Sequence, residues 1–406
     1  MKKPELLVPA SSLEVLKVAV VFGADAVYIG GEAFGLRARA KNFSLSEMAE
    51  GIAFAHARQV RVYVTVNIIA RNDDLEEAGA YLLELKRLRP DGLIISDPGL
   101  FSLAREICPE IDIHISTQAN NTNYETARFW YRLGATRIVT ARELSLEEIR
   151  QFRQHIPPQM EIETFIHGAM CISYSGRCLL SSFLAGRDAN HGECTHPCRW
   201  KYALMEETRP GEYMPVLEND RGTYIFNSRD LCMIDHMEDL LGCGIDSFKI
   251  EGRMKTALYV AAVARTYRRA IDECTEDPAL YRSHMDWYLD QISDCTYRKF
   301  TTGFFYGRPG PEAQIYDEST YIQEYIYLGY VEDSRGLRVR ITQRNKFCVG
   351  DAVEIMKPDG RDIHTRVRGI FDEAGEAMES APHARQTLFV ELDDPAEIFD
   401  LLRMRA

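Results

Sequence analysis

Glu5-Leu6-Leu7-Val8, then Ser12-Leu13 opening an apolar helical run to Phe22, then Gly23-Ala24-Asp25-Ala26-Val27-Tyr28-Ile29-Gly30, is the passage that decides the fold. A β-rich run is followed by a helix with a serine at its N-cap. A glycine then stands where a left-handed C′ residue is wanted, and a second β-rich run follows. The same helix-to-strand turn recurs at Gly134-Ala135-Thr136-Arg137. Ser44 precedes a second helical run, Leu45–Ala57, and Ser145 with Glu148 forms a capping box ahead of Leu146–Phe152. Strands alternating with amphipathic helices predict parallel strands with helical crossovers. Eight strands are expected: Glu5–Val8, Ala26–Gly30, Val60–Asn67, Gly92–Ser96, Ile111–Ser116, Arg137–Thr140, Ile162–His167 and Ser247–Ile250. Eight βα units in residues 1–272 predict a (β/α)8 TIM-like barrel. No glycine-rich dinucleotide fingerprint follows the first strand to suggest an open doubly wound sheet instead.

The chain of 406 residues is 46% hydrophobic and 27% charged, with room for a large core and about two domains. Its net charge of −13 excludes a surface coated for nucleic-acid binding but leaves room for a local basic patch. No apolar stretch reaches membrane-spanning length and no signal peptide is read at the start, so a cytoplasmic protein is expected, where stable disulfides are rare.

Half of the ten cysteines fall in one run: Cys171, Cys178, Cys194, Cys198 and Cys232. Thiolates gathered on a Gly-, Arg- and His-rich stretch point to a metal or an iron–sulfur cluster, and the spacing lacks the close-set pairs of a zinc ribbon. Cys171, Cys178 and Cys194 belong to any ligand set. Cys232 is the expected fourth, with Cys198 as the alternative. Cys108, Cys243, Cys274, Cys295 and Cys348 read as ordinary single thiols.

Chemistry in such a barrel sits at the carboxyl ends of the strands. There the sequence offers Asn67, His114, Ser116, Gln118, Arg142 and Glu143, then Glu163 and His167 on strand seven, and Lys249, Glu251 and Arg253 on strand eight. Strands seven and eight are joined by an unusually long connection carrying the cysteines together with Arg177, Arg187, Arg199 and Arg229. His167, Glu163, Arg177, Glu251 and Arg253 are the candidate catalytic residues.

Glu163-Thr-Phe-Ile-His167-Gly168-Ala169-Met170-Cys171, with Ser175-Gly176-Arg177-Cys178 and Ser181, resembles the signature of the collagenase-like peptidase family of unclassified catalytic type. Arg187-Asp188-Ala189-Asn190, Gly192-Glu193-Cys194, Cys198-Arg199-Trp200, Asn227-Ser228-Arg229-Asp230-Leu231-Cys232 and Ile250-Glu251-Gly252-Arg253-Met254-Lys255 extend the resemblance over nearly the whole chain. It is closest to the members needed for 5-hydroxyuridine at the wobble position of tRNA. The resemblance implies O2-independent, prephenate-dependent hydroxylation with a 4Fe–4S cluster on these cysteines. Prephenate's two carboxylates would call for cations, and Arg177, Arg199, Lys249 and Arg253 are the candidates. Two alternatives accompany this reading: a collagenase-like peptidase with Cys171 as nucleophile beside His167, and an Fe–S hydroxylase of rRNA or of an aromatic quinone precursor. The absence of H-E-x-x-H and G-x-S-x-G motifs weighs against a peptidase.

Residues 273–320 read as a helical and aromatic-rich connecting segment, with Phe300-Thr301-Thr302-Gly303-Phe304-Phe305-Tyr306-Gly307 strapping along the barrel. Residues 321–406 read as a small β-barrel domain with strands Tyr325–Val331, Leu337–Thr342, Ala352–Met356, Thr365–Phe371 and Thr387–Leu392. Arg338, Arg340, Arg344 and Lys346 form a modest basic stripe there, suited to RNA or to a purely structural role.

Overall fold

The computed structural model describes residues 3–32, 34, 42–171, 173–200, 203–205, 213–215, 229–294, 299–310, 313 and 324–406. Asn227 and Ser228 of the signature, Cys295 and the side chain of Arg199 lie outside the described residues.

Seven parallel strands run in order: β1 (Glu5–Pro9), β2 (Ala26–Gly30), β3 (Arg61–Val66), β4 (Gly92–Ile95), β5 (Asp112–Ile115), β6 (Arg137–Val139) and β7 (Glu161–Ala169). Within the β7 connection come a short hairpin, β8 (Ala203–Met205) with β9 (Tyr213–Pro215), and then β10 (Asp230–Cys232). The eighth barrel strand, β11 (Ser247–Ile250), pairs with β7 on one side and β1 on the other, which closes the cylinder. Helices α1 (Leu13–Val21), α2 (Leu45–His56), α3 (Asn72–Leu88), α4 (Pro98–Ile107), α5 (Tyr124–Leu133) and α6 (Leu146–His155) form the outer ring. The ring continues through α8 (Met237–Leu241) and α9 (Ala257–Glu276), while α7 (Leu180–Ala185) lies in the connection after β7 at the mouth of the barrel. The caps read from the sequence are present: the Ser12 side chain accepts from Val15, and Ser44–Glu47 and Ser145–Glu148 are complete capping boxes. Helices α7 and α8 had no clear periodicity in the sequence because they are six and five residues long.

The strands are buried on both faces, and their outward side chains form one large core with the helices. Inside, Leu7, Ala26, Tyr28, Tyr63 and Ile94 fill a small apolar layer. At the amino-terminal ends of the strands the barrel interior is charged. Arg137, fully buried, reaches Glu5 at 2.7 Å, Glu161 at 2.6 Å and Glu163 at 3.0 Å. Glu5 also accepts from the Tyr63 hydroxyl at 2.7 Å and from Ser247 at 2.8 Å. Lys249 donates to the second oxygen of Glu163 at 2.6 Å.

Helices α10 (Pro278–Ser283) and α11 (Met285–Ser293) pack on α9, and β12 (Phe300–Thr301) joins β10 in parallel. A second domain follows, with strands β13 (Tyr325–Arg335), β14 (Arg338–Thr342), β15 (Ala352–Met356), β16 (Asp362–Phe371), β17 (Ala377–Met378), β18 (Thr387–Leu392) and β19 (Leu401–Arg405). Six of them close an antiparallel barrel in the order β15-β19-β13-β14-β18-β16-β15 around its own core. Strand β19 is absent from the sequence expectation because Arg403 at its centre reads as a solvent residue. It is instead buried on Glu354 at 3.0 Å and Asp294 at 2.8 Å. Three of the four cations in the basic stripe face carboxylates: Arg338 faces Glu391, Arg340 faces Glu332, and Arg344 pairs with Glu14 of α1. That last pair, the Tyr327–Glu14 hydrogen bond at 2.7 Å and the Arg265–Asp362 pair at 2.9 Å dock the second barrel on the first. Among the described residues no helix is long and apolar enough to cross a membrane.

Arg137→Ala would remove the buried cation shared by Glu5 and Glu163, leaving Glu5 to Arg61 and Glu163 to Lys249 alone in a low dielectric, and the expected loss of stability is about 3 kcal/mol. Arg282→Ala, which removes an exposed pair with Glu238, should cost less than about 1 kcal/mol. Urea midpoints of the two variants check the contrast.

Candidate active site

The carboxyl ends of the barrel strands open on a cavity of about 210 Å³. Tyr28, Thr65, Ile94, Ser116, Phe165 and Lys249 form its floor. Arg142, Glu251 and Arg253, from the turns after β6 and β11, stand on its wall. The connection after β7 folds over the opening and contributes Cys171, Cys178, Cys194 and Cys198, along with Tyr174 and His196.

Hydrogen bonds to neighbouring loops fix that connection. Asn120 donates to Ser175 O at 2.7 Å, Asn190 donates to Cys178 O at 3.2 Å, and Ile69 N donates to Asn190 O at 3.3 Å. Arg71 pairs with Asp188 at 3.0 Å, and His191 meets Asp74 at 3.1 Å. Gly168 starts the departure from the barrel with φ of +112°, and a Cβ there would lie 2.6 Å from Glu251 O, so β7 and the turn after β11 approach as only glycine allows.

The floor is cationic. Lys249 is buried, and its ammonium lies 4.5 Å from the centre of the Tyr28 ring and hydrogen-bonds Glu163. Burial lowers its pKa against the opposing pull of Glu163. Arg142 stacks 4.0 Å from the centre of the Phe165 ring and donates to Ala169 O. Arg253 donates to Thr65 and lies where a Cβ on residue 30 would be, so Gly30 makes room for its guanidinium.

The thiol side is different in character. None of the four cavity cysteines is in a disulfide. Burial raises the Cys194 thiol, but hydrogen bonding to His196 and Ser181 outweighs it and brings the pKa down to about 7. Among the described residues no three His, Cys, Asp or Glu side chains converge on a point where one metal ion would sit. A cluster distributes its thiolates over several iron atoms and needs no such convergence. Four unbridged thiols around one cavity, with cations to moderate the charge, fit an iron–sulfur group.

Several residues singled out in the sequence lie elsewhere. His167 does not reach the cavity. The pairing of β7 with β11 slips between Lys249 and Ile250, so that Phe165 faces inward and His167 faces α9, where its Nδ1 is 3.3 Å from the Tyr267 hydroxyl. Strict alternation had put both on the inner face. Burial lowers the His167 pKa to about 4. The Cys171–His167 dyad therefore has no geometric basis; the cysteine–histidine contact at the mouth is Cys194 Sγ to His196 Nδ1, 3.9 Å. Glu163 lies beneath the cavity, held between Arg137 and Lys249. Arg177 is exposed, with its Nε on Asn120 Oδ1. Cys232 is directed away from the other thiols: it is paired with His167 across β10 and β7, buried 3.6 Å from the Tyr267 hydroxyl, and pushed up by burial to about 12. Cys198 lines the cavity in its place. Arg142 and His196 were underrated in the sequence, although each stands beside a marked feature, the end of strand six and Cys194.

The sequence model of peptidase family U32 matches residues 11–315, and that of the family's C-terminal domain matches residues 323–403. The chain belongs to peptidase family U32. Within reach of this U32 chain are proteins named for RNA hydroxylation. The tRNA hydroxylation protein P1 of Bacillus subtilis (strain 168) is 40% identical over 396 residues, 97% of this chain and 92% of that one. The tRNA hydroxylation protein P of Escherichia coli (strain K12) is 37% identical over 446 residues, covering 100% of this chain and 97% of that one. The 23S rRNA 5-hydroxycytidine synthase of Escherichia coli (strain K12) is 38% identical over 273 residues, 67% of this chain and 40% of that one.

The placement of His167 in this U32 barrel has a pH signature. With a folded pKa of about 4, well below the usual histidine value, only the unfolded chain takes up this proton as the pH falls from about 6.5 to about 4. Stability contributed by neutral His167 is present above that window and lost across it, by about 3 kcal/mol. Urea unfolding from about pH 7 to about pH 4 should show this loss, and His167→Gln should flatten that part of the profile.

Proposed function

We propose that this U32 chain is a cytoplasmic, O2-independent RNA hydroxylase that forms 5-hydroxyuridine at the wobble uridine of tRNA, with a 4Fe–4S cluster on Cys171, Cys178, Cys194 and Cys198 and prephenate as co-substrate. The observation that carries the reading is the composition of one cavity. The four thiols of the long connection and the cations Arg142, Lys249 and Arg253 line the same space at the carboxyl end of the barrel. The two relatives covered nearly end to end, both named as tRNA hydroxylation proteins, support the substrate.

When bound, the cluster supplies one-electron chemistry without molecular oxygen. The chain's own residues have distinct work. Lys249, Arg142 and Arg253 are spaced around the floor to hold the carboxylates of a small dianion, in a dielectric where each charge-assisted hydrogen bond is strong. Glu163 orients Lys249 from below, and Thr65 orients Arg253. The apolar faces of Tyr28, Ile94 and Phe165 exclude water from between them. His196 and Ser181 favour the thiolate of Cys194.

Anaerobically purified protein should be brown and contain iron and sulfide. Cys171→Ser, Cys178→Ser, Cys194→Ser and Cys198→Ser should each lose most of the absorbance and iron, whereas Cys232→Ser should keep both. Cells lacking the chain should lose tRNA 5-hydroxyuridine in nucleoside mass spectra, with restoration by wild type and not by Cys198→Ser. A colourless, iron-free wild-type protein would rule out the cluster. Loss of a hydroxylated rRNA nucleoside with intact tRNA would redirect the substrate.

A further inference from the structure

Helix α7 lies between the cavity and solvent and has two unlike faces. On the inner face Ser181 is fully buried and its hydroxyl contacts Cys194 Sγ at 3.9 Å and accepts from Thr195 N at 2.9 Å. Leu180 lines the cavity. On the outer face Leu179, Phe183 and Leu184 are open to water, Phe183 at 83% exposure. The helix packs on the turn Pro197–Arg199, which ends at Trp200, 45% exposed, and across the cavity Tyr174 is 46% exposed. Apolar side chains this open bury little and so contribute little to stability, and a contiguous group of them is the kind of surface that contacts a ligand.

The nearby charges select the kind of contact. Some exposed arginines on this acidic chain face a carboxylate, as Arg71, Arg282 and Arg368 do, and others, such as Arg58, Arg105 and Arg132, face none among the described residues. Arg177 and Arg187, which bracket α7 in sequence, have no carboxylate partner among the described residues. Aromatic rings beside uncompensated guanidinium groups suit nucleotides: the ring takes the face of a base and the cation takes the phosphate. We infer that Phe183, with Trp200 and Tyr174, is a stacking platform for unpaired bases flanking the one that enters the cavity, and that Arg177 and Arg187 hold the intervening phosphates. The RNA recognised is therefore a single-stranded loop and not a duplex, whose bases have no free face to offer. This inference rests on the RNA reading above and adds to it the conformation and the rim residues.

The test uses the full-length protein purified anaerobically and a fluorescein-labelled RNA hairpin with a uridine-containing loop, with anisotropy as the readout. A fully duplexed RNA of the same composition serves as comparison. The wild type should prefer the hairpin. Phe183→Ala should weaken hairpin binding about tenfold or more, and Phe183→Trp should retain it. Phe183→Leu, which keeps apolar area but has no ring, should behave like Phe183→Ala. Arg177→Gln and Arg187→Gln should each reduce the slope of log affinity against log salt by about 0.7. Because Phe183 is exposed, its variants should keep the iron content and urea midpoint of the wild type. Unchanged hairpin affinity in Phe183→Ala, full affinity in Phe183→Leu, or equal loss on duplex would overturn the platform while leaving RNA binding intact. A wild-type dimer that Phe183→Ala converts to monomer would assign the face to self-association and overturn it also. Failure of the wild type to bind either RNA would sink the RNA reading and this inference with it.

Discussion

The whole arrangement depends on a chain of buried charges along the barrel axis. Glu163 has one oxygen on Arg137 and the other on Lys249, and Arg137 continues to Glu5. A lysine ammonium at the base of an apolar cavity is costly unless paired, and a carboxylate paired with only one cation would neutralise that cation for any ligand. Arg137 is itself shared with Glu5 and Glu161, so the network is balanced by its own carboxylates, and the cations that face the cavity are Lys249, Arg142 and Arg253. The amino-terminal half of the barrel interior thus acts as a counterion store, and the carboxyl-terminal half is free to present cations to a substrate. The same network joins strands β1, β6, β7 and β11 across the closure of the cylinder, so the electrostatics of the mouth and the integrity of the barrel have a common source.

Above that floor the cavity is divided into two chemical regions. One is built on β11 and on the turns after β6 and β11 and holds the cations; the other is built on the connection after β7 and holds the thiols. Strand-borne groups are fixed by the ladder of the barrel, while loop-borne groups depend on bonds to the segments after β3 and β5. Gly168 and Gly30 are where the two regions meet at close range, the first bringing β7 against the turn carrying Glu251 and the second admitting Arg253.

Much of this was legible in the sequence. All eight barrel strands were identifiable because each apolar run is short and most are followed by an amphipathic helix, several with a side-chain cap. The mouth could be located from the strand ends alone, and Lys249, Glu251, Arg253 and four of the thiols were found there. What escaped was local geometry without a compositional trace. A register slip of one residue turned His167 to the outside, and no pattern in Ile162–His167 announces it. Cys232 is set at the end of a three-residue strand whose antiparallel pairing with β7 decides its direction. Arg403 looks like a surface residue until the carboxylates of Glu354 and Asp294, 49 positions away in the first case, are brought to it.

The clips that hold the connection over the mouth have a kinetic meaning. Arg71 and Asp188, like Asp74 and His191, are separated by 117 positions in the chain; Arg71 is open to solvent and the Asp74–His191 pair is half-buried. Contacts that close so long a loop form only after the intervening strands are in place, and exposed ion pairs contribute little once made. The roof of the cavity is thus the last part of the barrel to assemble and the first to open, with the thiols reachable from solvent on a barrel already built beneath them.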